Sequence, residues 1–94
     1  MNNFLELTNK IKPFIKEFLL EKGLPLDEKF ICLNPDHVET TPSMNFFAKG
    51  HYVKCFSCGF LADIFTLNSL LEYAPQNGPT YIIDNVKKLA EKYN

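Results

Sequence analysis

The sequence has no apolar run long enough to cross a membrane, no internal repeat and no low-complexity tract. Its first residues lack the basic start and unbroken apolar stretch of a secretion signal. The expectation is therefore a cytoplasmic protein with no membrane partner, in a compartment where thiols stay reduced. Excess charge is missing too: the formal net charge is −1, so this is not a polycation that grips nucleic acid by charge alone. Nor is there a nucleophile–base pair, a glycine-rich phosphate loop or a carboxylate cluster suited to two Mg²⁺ ions. No residue is assigned a catalytic role, and the chain is not expected to be an enzyme by itself. Asp27, Glu28, Asp36 and Glu39 read as solvated charges.

Cysteine is scarce, and all of it lies in one array. Cys32 and His37 are separated by four residues, Cys55 and Cys58 by two, and seventeen residues lie between the pairs. Three sulfurs and one imidazole make a complete tetrahedral set for one Zn²⁺, with no position left for water or substrate, so the ion would be structural. Gly59 directly after the second pair supplies the positive φ that such a turn often needs. Asn34, Pro35 and Asp36 are turn formers inside the first pair. Between the pairs, 43–47 and 51–56 read as two strands joined by a short turn at Lys49-Gly50. His51, the second histidine, falls outside both ligand pairs. Unrelated buried thiols, a disulfide with one thiol left over and a redox CxxC are the competing readings. None of them uses Cys32, His37 and the CxxC pair together.

With 94 residues and 46% hydrophobic content, the chain is expected to form one small domain over 1–94 whose limited core gains from a metal staple. Phe4, Leu7, Ile11, Phe14 or Ile15, and Phe18 recur at helical spacing, so 3–23 reads as a helical segment, kinked at Pro13 and ended by Gly23 and Pro25. Its apolar stripe is read as core. Phe30-Ile31 reads as a strand feeding the zinc ribbon, which spans 30–61. Asp63 can cap a helix to about Tyr73 with Ile64, Leu67 and Leu71 on one side. After a loop over 74–79, Ile82 or Ile83, Val86, Leu89 or Ala90, and Tyr93 mark a last helix, so 63–93 holds two C-terminal helices. The expected class is small α+β: a zinc ribbon with a short antiparallel sheet, flanked by an N-terminal helical segment and two C-terminal helices.

The run Cys32-Leu-Asn-Pro-Asp-His37-Val-Glu39-Thr-Thr41-Pro42-Ser43-Met44, then Tyr52-Val-Lys-Cys55-Phe56-Ser57-Cys58-Gly59 and Asp63, resembles the N-terminal zinc-binding domain of bacterial and phage DNA primases. The four-residue spacer before His37 is similar to the longer variant of phage and mobile-element primases, and Ala62-Asp63 stands where the family usually has Gly-Asp. The resemblance implies a role in DNA replication: recognising single-stranded DNA template for a catalytic domain or subunit that these residues do not contain, with a replicative helicase as a further partner. Position by position, it points to Lys49, Tyr52, Lys54 and Phe56 as DNA contacts, with Ser57 and Asn45 as weaker candidates. Lysines can meet phosphates and exposed rings can stack on unpaired bases. Strand alternation puts Tyr52, Lys54 and Phe56 on one face and His51, Val53 and Cys55 on the other. The alternative expectation is a zinc-ribbon protein-interaction module without nucleic-acid binding.

Overall fold

Apolar residues at three- and four-residue steps need a helix to line them up, and a proline among them interrupts it. The computed structural model, which describes residues 3–93, has α1 at Asn3–Ile11 and α2 at Ile15–Glu21, with Lys12–Phe14 tightened into one 3₁₀ turn around Pro13. Proline has no N–H to return to the preceding turn, so the ladder breaks there. Ile11, Ile15, Phe18 and Leu19 are buried on either side of the break. A paired cap ends α2: the Leu24 N–H donates to the Leu19 carbonyl at 3.2 Å and the Gly23 N–H to the Leu20 carbonyl at 3.0 Å. That geometry needs the left-handed φ of 77° found at Gly23.

Three antiparallel strands follow in the order β1 (Met44–Phe47), β2 (Tyr52–Cys55), β3 (Leu61–Ala62). The two expected strands are present but shorter. Ser43 and Phe56 lie outside the ladder, and His51 closes the hairpin connection with φ 59°, which extended backbone cannot accommodate. The expected strand at Phe30-Ile31 is a single bridge between Phe30 and Met44. The third strand, β3, had no counterpart among the expected elements.

The register fixes what each face carries. Met44 pairs with Cys55 and Phe46 with Val53, whereas Asn45 pairs with Lys54 and Phe47 with Tyr52. Met44, Val53 and Cys55 are fully buried, and they join Ile11, Ile15, Leu19, Ile64, Leu67 and Val86 in one apolar core. The helices therefore cover one face of the sheet and leave the other to solvent.

α3 (Ile64–Glu72) starts as its sequence implies: the Asp63 carboxylate accepts from the Thr66 N–H at 3.0 Å. Ile64 and Leu67 are buried and Leu71 partly so. The last helix departs from the expected apolar stripe. Ile82–Lys87 is wound as a π-helix before α4 (Lys88–Tyr93) resumes ordinary geometry. Closing i→i+5 instead of i→i+4 shifts the inward register. Ile82 and Ile83 are left 43% and 58% exposed while Asn85 and Val86 are fully buried. Asn85 is satisfied on every side: it accepts from Asn68 at 3.0 Å and donates to the carbonyls of Phe65 at 3.0 Å and Pro75 at 2.9 Å. One amide thus ties α3, the loop after it and the π-helix together.

At the C-terminal end, the Tyr93 hydroxyl donates to Glu21 at 2.6 Å and its ring stacks on Phe14, 5.4 Å between centroids. Burial, then this bond to a carboxylate, holds the phenol above its usual range. Among the described residues no helix is long and apolar enough to cross a membrane.

Replacing Asn85 by Ala removes three hydrogen bonds, leaves the buried Asn68 amide without its acceptor, and should destabilise the fold by about 2–4 kcal/mol. Urea denaturation would report this as a lower midpoint with an unchanged slope. A midpoint equal to wild type would show that the network contributes nothing.

Candidate metal centre and the outer face of the sheet

Two turns bring the four candidate ligands together. In the first, the His37 N–H donates to the Asn34 carbonyl at 3.0 Å and the Asp36 N–H to the Asn34 side-chain oxygen at 3.0 Å. This is a tight turn with proline at its second position, which folds His37 back toward Cys32. In the second, the Gly59 N–H donates to the Cys55 carbonyl at 2.8 Å and the Cys55 N–H to the Phe60 carbonyl at 2.8 Å, with Gly59 at φ 82°. Cys55 belongs to β2, so the sheet itself aims one ligand.

The donor atoms of Cys32, His37, Cys55 and Cys58 all lie within 4.8 Å of one another. Cys32 Sγ and Cys58 Sγ are 3.8 Å apart, and Cys55 Sγ is 3.7 Å from His37 Nδ1. Around an ion bound at about 2.3 Å from sulfur, the edge of a tetrahedron is about 3.8 Å. The cluster can hold a metal ion, and two of its donor pairs, Cys32–Cys58 and Cys55–His37, are already at that spacing. All three cysteines are free thiols.

The thiols differ electrostatically. Burial, reinforced by the neighbouring sulfurs, pushes Cys32 up to about 12. The exposed Cys58 is held below the ordinary thiol range, first by the Phe60 N–H. Backbone donors serve the sulfurs elsewhere too: the Asn34 N–H points at Cys32 Sγ from 3.4 Å.

Glu39 corrects its reading as a solvated charge. Its side chain is only 9% exposed and lies 3.7 Å from His37, while its other oxygen accepts from the Cys32 N–H at 3.1 Å. Asp27, Glu28 and Asp36 are exposed.

The outer face of the sheet carries most of the other candidates. Tyr52 and Lys54 are half-buried there and Phe56, just past β2, is 60% exposed. Asn45 is cross-strand from Lys54; Lys49 lies exposed in the hairpin connection and Ser57 exposed in the knuckle between Cys55 and Cys58. Phe47, not singled out from the sequence, joins them. It stacks on Tyr52 at 5.0 Å between centroids and meets Phe56 edge-on at 5.9 Å. The Lys54 ammonium lies 5.5 Å from the Phe56 ring centre. Cross-strand pairing with Tyr52 identifies Phe47, a signal available only once the register is known. Tyr52 also explains Gly50: a Cβ there would collide with the tyrosine ring, so only glycine lets the ring keep this position.

Compared with family models, with curated proteins and with solved structures, the chain has no match. Its function must be argued from this geometry.

Because metal ligation needs thiolates and the Cys32 thiol sits near 12, binding must displace protons. Apparent metal affinity should fall as pH is lowered from about 8 to about 6, roughly tenfold per unit for each proton displaced. Competition against a chelator of known affinity measures this. A pH-independent affinity would exclude these thiols as ligands.

Proposed function

We propose that this chain is a zinc-stabilised domain of the DNA-primase type. It binds single-stranded template through the outer face of its sheet and serves a catalytic unit outside these 94 residues. The observation that carries the reading is the contiguous aromatic patch of Phe47, Tyr52 and Phe56 with Lys54 against it, on the face that the helices leave uncovered. Unpaired bases offer two π-faces each and stack on such rings at about 1–3 kcal/mol per base, with little dependence on sequence.

Zinc fits the donor set better than other ions. Three thiolates and an imidazole at tetrahedral spacing are a soft, closed site, and four protein ligands give the ion a structural role. The likeness of the Cys32–Met44 and Tyr52–Gly59 runs to primase zinc-binding domains supports the same reading. Every basic side chain among the ten is a lysine, so the phosphate contacts are point charges and not bidentate guanidinium forks. Grip is accordingly modest and depends on salt.

Fluorescence anisotropy of a labelled single-stranded oligonucleotide pool, with zinc-loaded and with chelated protein, tests the proposal. Binding should require zinc and weaken as salt rises. Lys54→Ala should flatten the salt slope by roughly 0.7, and Tyr52→Ala or Phe47→Ala should cost about 1–3 kcal/mol. Gly50→Ala, which displaces the Tyr52 ring, should weaken binding without changing net charge. No binding by zinc-loaded protein at low salt would overturn the reading in favour of a protein-interaction module.

A further inference from the structure

Glu39 is the one residue in the ligand region that does something the four ligands do not account for. Val38 beside it is 92% exposed, while the Glu39 side chain is turned inward and only 9% exposed. The two neighbouring side chains thus lie on opposite sides of the chain, Val38 toward solvent and Glu39 toward Cys32 and His37.

The two carboxylate oxygens have different partners. Oε2 accepts from the backbone N–H of Cys32 at 3.1 Å. Oε1 is buried with no hydrogen-bond partner, and His37 Nε2 lies 3.7 Å from it. That separation is just beyond hydrogen-bond range, and a small rotation of either side chain closes it. A buried carboxylate oxygen left unpaired costs free energy, so the position needs a partner. His37 meanwhile presents its other ring nitrogen, Nδ1, to the cysteine cluster, 3.7 Å from Cys55 Sγ.

We infer that Glu39 is a positioning residue for the metal centre. Its carboxylate accepts the Nε2–H of His37 and the N–H of Cys32, and so fixes one ligand's tautomer and the other ligand's backbone. With Nδ1 bound to a metal, the imidazole must carry its proton on Nε2, and that N–H points at Oε1. One side chain then joins both ligands of the first pair, which come from a loop and have no sheet behind them. The second pair needs no such support, because β2 and its turn already hold it. A carboxylate next to three thiolates is repelled by them. Two N–H donors directed at it, one of them polarised by the bound cation, offset that repulsion.

The inference rests on metal binding by the cluster and is independent of DNA binding. Glutamine discriminates it from a space-filling role. Glu39→Gln keeps size and shape but has a single acceptor oxygen for two N–H donors, and its NH₂ group must oppose one of them. Competition of zinc between a chromophoric chelator and wild type, Glu39→Gln or Glu39→Ala should show roughly 10–100-fold weaker zinc binding in both variants. Long-range ¹H–¹⁵N spectra of the zinc-loaded full chain should show His37 protonated on Nε2 in wild type, with faster exchange of that proton in Glu39→Gln. Unchanged zinc affinity and unchanged exchange in Glu39→Gln would overturn the inference. So would a wild-type His37 protonated on Nδ1. If wild type itself fails to bind zinc, the metal centre falls and the positioning role with it, whatever the DNA titration gives.

Discussion

Everything in the middle of this chain depends on closing one loop: the turn that holds Cys32 and His37 must meet the turn that holds Cys55 and Cys58, across seventeen intervening residues. Backbone hydrogen bonds help that closure by way of β1: Phe30 and Met44 exchange two, at 3.0 and 2.9 Å, and Met44 pairs with Cys55. Each turn is also internally bonded, through Asn34 on one side and through Gly59 and Phe60 on the other, and the four cluster side chains meet between them. With three thiols and an imidazole drawn together and Cys32 buried, the arrangement disfavours thiolates in the absence of a compensating charge. The upward shift of Cys32, caused first by burial and then by the neighbouring sulfurs, expresses this, and a cation among the donors would reverse it. An ion bound by this cluster would make metal binding and folding of this region one equilibrium.

The helices do a separable job. Their core runs from Ile11 and Leu19 through Ile64 and Leu67 to Val86, and reaches the sheet only through its inner face. A chain of 94 residues has too little apolar volume to bury a sheet on both sides. One face of the sheet therefore stays wet, and the aromatic residues found there must stack on one another. Phe47 on Tyr52 and Phe56 against Phe47 do so. Exposed rings in mutual contact keep a rigid surface at low entropic cost, which is the property a stacking platform needs.

How much of this was legible in the sequence varies with how local the information is. The clustering of Cys32, His37, Cys55 and Cys58 could be read directly, because the spacing of Cys and His is itself what brings such donors together. The kink at Pro13, the Asp63 cap and the stop at Gly23 were equally plain, since each turns on one residue's backbone chemistry. What stayed hidden was non-local. Two residues of β3 carry no alternation to detect. Phe47 looks like any strand aromatic until register pairs it with Tyr52. The π-helical shift that buries Asn85 and exposes Ile82 and Ile83 departs from the apolar periodicity at the start of the helix, while Val86 and Leu89 stay buried as expected: a satisfied amide won the interior over two isoleucines. Glu39 misled for a related reason, because an acid near a turn reads as solvated and only the tertiary placement of the Cys32 N–H makes it an acceptor.

Strand β2 couples the two halves of the proposed function. Val53 and Cys55 face the core and the metal ligands, while Tyr52 and Lys54 face outward. A slip of one residue would exchange the sets, sending a thiol ligand into solvent and a lysine into the core. Cys55 cannot move without leaving His37, 3.7 Å away, so an ion held there pins the register of the whole hairpin. The register in turn decides that Phe47 meets Tyr52 and that Asn45 meets Lys54 on the open face. An ion held by this cluster would specify the outer surface without touching it, through the alternation of a four-residue strand.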